Sequence, residues 1–193
     1  MKYLFFDLET TGFSHTSDKV IEIAAAVYDE DLGEIIDTFQ TFINPGVTIS
    51  EKITEITSIT NEMVKNAPTE QRGFELFDKF VKNYSPDVLA GHNIKSFDIK
   101  WLDVRNDRFN TNINTNITLV DTLEMVRATA KKGLLVGYNF TTKTGRPSFT
   151  LQNLMKYFEL GEQNHRAIDD VLNNVVVFKK LTDLEKNDTS LGF

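Results

Sequence analysis

The sequence predicts an α/β fold built on a mixed sheet. Apolar and aromatic runs suited to strands come first, helical spacing takes over from Ile53, and short apolar strands then alternate with helices. Strands followed by alternating helix and strand is the pattern of helices layered on a sheet that combines antiparallel and parallel pairs.

The first run is Lys2 to Leu8, the second Val20 to Tyr28 and the third Ile35 to Ile43. Asp31, Leu32 and Gly33 supply turn chemistry between the last two, so these runs are expected to form an antiparallel meander. Phe74, Phe77, Phe80 and Val81 then recur at helical spacing, and the stretch Asn83 to Pro86 stops that helix. A short strand follows at Val88 to Ala90, and a helical stretch from about Ser96 to Arg105. A strand at Ile117 to Val120 leads into a helix at Asp121 to Ala130, and further helices are expected at Thr150 to Phe158 and Ala167 to Leu181. Residues 1–183 read as one domain, and Leu184 to Phe193 as a flexible tail.

Composition fits that reading. A chain of 193 residues is the size of one domain and can bury roughly 70% of the surface its unfolded form exposes. Apolar residues at 40% and charged residues at 25% belong to an ordinary globular protein. The absence of cysteine excludes disulfides, thiolate nucleophiles and thiolate-bound zinc, so any metal must sit on oxygen or imidazole ligands. No apolar run approaches the ~20 residues that span a bilayer, and the N-terminus lacks the design of a secretory signal, so a cytoplasmic location is expected. A net charge of −7 argues against a broad phosphate-binding face. Bound cations can supply the missing positive charge locally, which lets an acidic protein act on phosphodiesters.

One segment departs from this balance. Between Ala128 and Phe158 there is no acidic residue, while Lys131, Lys132, Lys143, Arg146 and Lys156 all fall within it. Lys131 to Ser148 is polar, glycine-containing and irregular, and reads either as a solvated loop or as a flap that tracks phosphates and stacks a base on Tyr138, Phe140 or Phe149.

Chemistry is carried by three groups of residues. Period-two alternation puts Tyr3, Phe5, Asp7 and Glu9 on one face of the first strand, so two carboxylates end that face with Cα atoms about 6.5 Å apart. Two anions beside an apolar core repel unless a cation stands between them, although an isolated Asp-x-Glu at a strand end is most often only solvated. The second group is stronger. If the helix reaches back to Ile94, then Ile94, Phe97, Trp101 and Leu102 form one stripe with Asp98 in its middle. A carboxylate facing a core costs several kcal/mol unless it is paired or ligates a metal. His92 and Asn93 fall just past the Val88 to Gly91 strand, at a strand end where sites in α/β sheets gather. In the third group His165 precedes a helix with Asp169 and Asp170 in its first turn, where the helix dipole alone favours acidic residues. Periodicity prefers Asp170 only slightly.

Together DLETTG at 7–12, HNIKSFD at 92–98 and HRAIDD at 165–170 resemble the DEDDh, or DnaQ-like, exonuclease family. The resemblance extends to DKVIEIAAA at 18–26, ITNEMVKNAP at 59–68 and VDTLE at 120–124, covering about Lys2 to Leu181. The family pattern sets the last aspartate five residues after the histidine, which selects Asp170 over Asp169. The stretch Lys131 to Ser148 is longer than the connection expected there.

The resemblance implies an RNase H-like three-layer fold with a mixed five-stranded sheet flanked by helices. It implies a 3′-5′ exonuclease that uses two divalent cations, Mg2+ or Mn2+, lying roughly 3.5 to 4 Å apart. Asp7, Glu9, Asp98 and Asp170 would be the metal ligands and His165 the general base, whose ordinary pKa of about 6.5 suits that role. Thr10, Thr11, Gly12 and Phe13 would meet the terminal nucleotide, with Phe13 either wedged against its base or buried in the turn. His92, Asn93 and Phe97 complete the candidate substrate contacts. The expected substrate is the 3′ end of single-stranded nucleic acid, DNA favoured over RNA, and the expected partner a DNA polymerase subunit. An RNA exonuclease with the same site and a non-catalytic binding module are the rival readings.

Overall fold

The computed structural model describes residues 1–160 and 166–188. In chain order the elements are β1 (Lys2–Thr10), β2 (Val20–Asp29), β3 (Glu34–Phe42), α1 (Glu51–Thr57), α2 (Asn61–Val64), α3 (Glu70–Tyr84), β4 (Val88–Gly91), α4 (Asp98–Phe109), β5 (Thr118–Asp121), α5 (Thr122–Lys131), α6 (Leu151–Tyr157) and α7 (Ala167–Lys186). The five strands lie in the order β3-β2-β1-β4-β5. β1, β2 and β3 pair antiparallel, while β4 pairs parallel with both β1 and β5. The mixed sheet expected from the sequence is therefore present.

That order makes β1 the central strand, so both of its faces must be covered. Leu4, Phe6 and Leu8 pack on one side with Phe74, Phe77 and Val81 of α3 and Trp101 and Leu102 of α4. Tyr3 and Phe5 pack on the other side against Ala167, Val171, Val175 and Phe178 of α7. Small residues on β2, Ala24 and Ala26, belong to the same cluster as α7. The alternation of β1 thus decides which layer its polar end meets: Asp7 and Glu9 continue the Tyr3–Phe5 face, toward α7.

Helix boundaries follow local chemistry. Thr69 caps α3 by accepting from the Arg72 N–H, and Ser85 ends it in the left-handed region at φ 45°, with Pro86 next. The helix expected from Ile94 or Ser96 begins later, at Asp98, because Ile94 to Phe97 form turns. Asp98 consequently occupies the first turn of α4, where carboxylates are favoured. At the other end α7 runs to Lys186, three residues beyond the expected domain boundary at 183. Leu184 packs against Val126, Leu154 and Leu181, and Glu185 accepts from Thr129 Oγ1 at 2.9 Å and pairs with Lys132. The remainder of the expected tail, 189–193, lies outside the described residues.

The basic stretch between α5 and α6 has no helix or strand of its own. Tyr138 is turned inward: its ring packs on Phe149 at 5.2 Å and Tyr157 at 5.1 Å, and its hydroxyl donates to Ser148 O at 2.6 Å. Tyr138 and Phe149 are therefore packing residues of this arm rather than free platforms for a base. Among the described residues no helix is long and apolar enough to cross a membrane.

Candidate active site

β1 places Asp7 opposite Ala24 and Glu9 opposite Glu22 of β2, and the register shifts immediately after Glu9. On its other side β1 pairs with β4 only as far as Phe5 and Ala90. Two residues beyond that pair stand Asp7 on one strand and His92 past the end of the other. The sheet opens there, and α7 fills the opening with the first turn that carries Asp170. Carboxylate oxygens of Asp7, Glu9 and Asp170 come within 4.8 Å of one another, and all three residues are half-buried. Asp169 is not part of this set.

Burial and mutual repulsion both disfavour charge at this point. The Asp7 carboxyl is raised to about 7, first by burial and then by Asp170 and Glu22. Glu9 is raised to about 9, first by burial and then by Asp7, Asp170, Glu22 and Asp98. Hard carboxylate oxygens this close, pressed toward protonation by one another, are the donor set that Mg2+ or Mn2+ favours. The residues present therefore fit a divalent cation.

Asp98 stands beside this triad but does not belong to it. It is 3% exposed, and its Oδ1 accepts from the Leu8 N–H at 3.1 Å. Leu8 lies between the two β1 carboxylates beyond the last β4 pair, so Asp98 occupies the position where the next strand's carbonyl would have been. Burial and the neighbouring Asp7 raise its pKa well above the ordinary carboxylate range.

The turn after β1 is held by its own polar groups. Thr10 Oγ1 donates to Gly12 O at 2.6 Å, and Thr11 Oγ1 accepts from the Lys19 N–H at 3.0 Å. A Cβ on Gly12 would stand 2.3 Å from Asp18 Oδ2, so only glycine lets that carboxylate close the loop. Beyond it Phe13 is 84% exposed, which excludes the buried role considered for it. Arg105 braces the far side of this loop: fully buried, it donates to Glu70 Oε1 at 2.7 Å, to Asp18 O at 2.7 Å and to His15 O.

The remaining candidates line the β4 end. His92 Nδ1 is 3.0 Å from Thr122 Oγ1, which in turn donates to Asn174 Oδ1 at 2.7 Å. Burial lowers the His92 pKa. Asn93 adopts φ 65° and donates its N–H to Asp121 Oδ1 at 2.9 Å. Phe97 precedes α4 and packs on Trp101 at 5.9 Å. His165 lies outside the described residues. A cavity of about 1020 Å3 among Asp103, Asn106, Asn110 and Asn112 to Asn116 lies elsewhere, and none of the four carboxylates lines it.

Glu22 is a residue the sequence reading passed over. It is fully buried, and its Oε1 accepts from Gln40 Nε2 at 2.7 Å and Arg166 at 3.0 Å. The signal was present: a single glutamate interrupts the apolar run VIEIAAAV, the same kind of conflict that marked Asp98.

Residues 4–178 match the family model RNase_T, described as Exonuclease. The chain belongs to the exonuclease family. Its class of chemistry is accordingly hydrolysis of nucleic acid. The DNA polymerase III PolC-type protein of Pediococcus pentosaceus is 36% identical over 170 residues, 88% of this chain and 10% of that protein. The corresponding protein of Clostridium perfringens is 34% identical over 178 residues, 92% of this chain and 11% of that one. The chain thus spans about a tenth of the length of these relatives. Among solved structures, Exonuclease I of E. coli in complex with a dA16 oligonucleotide superposes with a TM-score of 0.73 at 20% identity, covering 94% of this chain and 40% of that one. A product-bound structure of exonuclease I gives 0.79 at 20% identity, covering 96% and 44%. At that identity the likeness establishes the fold, an RNase H-like sheet flanked by helices.

Proposed function

We propose that this exonuclease-family chain is a divalent-metal-dependent 3′-5′ exonuclease acting on single-stranded DNA. The observation that carries the reading is the convergence of Asp7, Glu9 and Asp170 within 4.8 Å at the open end of the central strand, with Glu9 pushed to about 9 in the absence of a cation. Asp7, Glu9 and Asp170 would hold the cations, with Asp98 contributing from beside Leu8. When bound, Mg2+ or Mn2+ supplies an acidified water and neutralises the charge that develops on the phosphate.

The protein's own groups orient and move protons. His165 accepts the proton of the attacking water as its oxygen bonds to phosphorus, and the bond to the 3′ oxygen breaks in line. The 3′ oxygen takes a proton from solvent water as it leaves and His165 returns its own to solvent, giving a nucleoside 5′-monophosphate and a strand one nucleotide shorter. Thr10 to Gly12 present backbone to the terminal sugar and phosphate, and the exposed ring of Phe13 stacks on its base. Such contacts read no sequence. DNA as substrate, and a DNA polymerase as the partner to test, draw on the PolC-type relatives, and the dA16 complex of Exonuclease I supports a single strand.

A time course with matched 5′-labelled single-stranded DNA and RNA, in Mg2+, Mn2+ or EDTA, tests this. Stepwise, metal-dependent shortening from the 3′ end, lost in His165→Ala, is expected, with DNA consumed faster. Equal rates on RNA would reassign the substrate, and no cleavage of either would leave a binding module.

A further inference from the structure

The basic arm between α5 and α6 is not used by the reaction above, yet its foot meets His92, one of the candidate substrate contacts. The chain leaves α5 through Gly133 at φ 77°, buries Leu135 and then projects a narrow arm. Thr141 and Pro147 form an isolated bridge across it, and the tip is closed by Thr142 N–H to Arg146 O at 2.7 Å and Gly145 N–H to Thr142 O at 2.9 Å. Every residue from Thr141 to Pro147 is exposed. The base is stiff: Ser148 N–H donates to Phe140 O at 3.0 Å, and Asn153 Nδ2 donates to Ser148 O at 3.1 Å and Ser148 Oγ at 3.0 Å.

Charge and position set the arm apart from an ordinary solvated loop. In a chain of net charge −7, no acidic residue falls between 128 and 158. Lys132 is paired with Glu185, but no ion pair among the described residues takes up Lys143 or Arg146 at the tip. The backbone of Phe149, at the foot of the arm, meets the ring of His92. His92 stands beyond the last β1–β4 pair, at the same end of the sheet as Asp7. A rigid, uncompensated cationic arm is thus rooted beside an otherwise acidic cleft.

We propose that residues 139–148 are a second nucleic-acid contact, in which Lys143 and Arg146 take phosphates of the strand upstream of the nucleotide being removed. The inference rests on the exonuclease reading for its substrate. The arm supplies the positive charge that the carboxylate cleft lacks, and it lengthens the bound segment without touching the reacting atoms. Phosphate contacts of this kind act on affinity and salt dependence, not on sequence.

The test is binding of fluorescein-labelled dT20 by anisotropy in EDTA, where no turnover occurs, across a range of KCl, for the wild type and for Lys143→Ala/Arg146→Ala. Two lost phosphate contacts predict a slope of log Kd against log salt smaller by about 1.4, and about tenfold weaker binding at low salt. The control Lys52→Ala/Lys79→Ala removes the same net charge from exposed positions on α1 and α3 and is expected to bind as the wild type does. In Mg2+ the ratio of kcat/KM for dT20 over a dinucleotide should fall in the arm variant by a similar factor. An unchanged salt slope, or an equal loss in the control, overturns the proposal. A wild type that binds dT20 but never cleaves it overturns the exonuclease reading while the anisotropy comparison still decides the arm.

Discussion

Glu22 faces Glu9 across the β1–β2 register and, fully buried, holds Arg166 at 3.0 Å just before the first turn of α7. The same Arg166 lies over the Phe42 ring at 4.8 Å, and Glu22 Oε2 also accepts from the Ala167 N–H at 3.4 Å. One carboxylate on the sheet thereby fixes the end of the helix whose first turn delivers Asp170 to Asp7 and Glu9. Arg166→Ala would strand Glu22 as an uncompensated buried charge. About 2–4 kcal/mol of stability should be lost, at the low side of buried pairs because Arg166 keeps partial solvent access. Glu22→Gln combined with Arg166→Ala should recover part of that loss. Urea unfolding of the two variants checks the order, and equal stability would mean that the pair is not coupled.

The raised carboxyls make cation binding a proton-linked event. Asp7 at about 7 and Glu9 at about 9 are far above their unfolded values, so the folded chain holds more protons than the unfolded chain as pH rises above about 4. Without metal, each group's contribution is therefore lost as pH climbs through its folded pKa, toward 7 for Asp7 and 9 for Glu9. A cation must displace those protons, so the stabilisation by Mg2+ should grow with pH. Melting curves in EDTA and in Mg2+ between pH 5.5 and 9 should show a widening gap in Tm. A constant gap would mean that these carboxyls are already ionised without metal.

Asp98 separates a structural hydrogen bond from a role in the site. Asp98→Asn keeps an oxygen to accept the Leu8 N–H and removes a charge held in a dry place, so thermal stability should be unchanged or slightly raised. Asp98→Ala leaves that N–H buried without its partner and should cost about 1–3 kcal/mol. Both should lower nuclease turnover by about a hundredfold or more if Asp98 serves the cations. An active Asp98→Asn protein would reduce Asp98 to a prop for β1.

Much of this arrangement was legible in the chain because β1 obeys strict alternation. The same period that puts Tyr3 and Phe5 on the α7 face puts Asp7 and Glu9 there, and the meander accounts for the antiparallel half of the sheet, β1 to β3, while the seating of β4 against β1 has no local signal. What periodicity could not give was the start of α4. Ile94 to Phe97 carry the right apolar spacing but form turns, drawn in by the bonds that Asn93 and Lys95 make to Asp121. Those are tertiary contacts with no local trace. The brace of Arg105 on Glu70 left only a partial trace: both fall on the apolar stripes of their helices, Arg105 after Trp101 and Leu102 and Glu70 before Phe74 and Phe77, but nothing local joins partners 35 residues apart. Tyr138 looked available in a polar stretch only because the rings it meets, Phe149 and Tyr157, come from later in the chain.

Asp169 and Asp170 offer the sharpest contrast, because adjacent residues of one type differ here only by about 100° of rotation around α7. Both lie in the first turn, so the helix dipole favours each of them alike. Only Asp170 reaches the oxygens of Asp7 and Glu9. Asp170→Asn keeps the size and hydrogen-bonding capacity of the side chain while removing the charge a cation needs. It should abolish exonuclease turnover, by about a thousandfold or more, and raise the Mg2+ concentration required to shift Tm. Asp169→Asn should leave turnover within about twofold, as expected of a partly exposed first-turn residue whose dipole interaction is worth less than 1 kcal/mol. Single-turnover rates with dT20 and Mg2+ titrations of Tm, measured on both variants, decide the matter. Equal losses would show that the first turn of α7 acts through its overall charge and that the position of Asp170 over the β1 carboxylates is incidental.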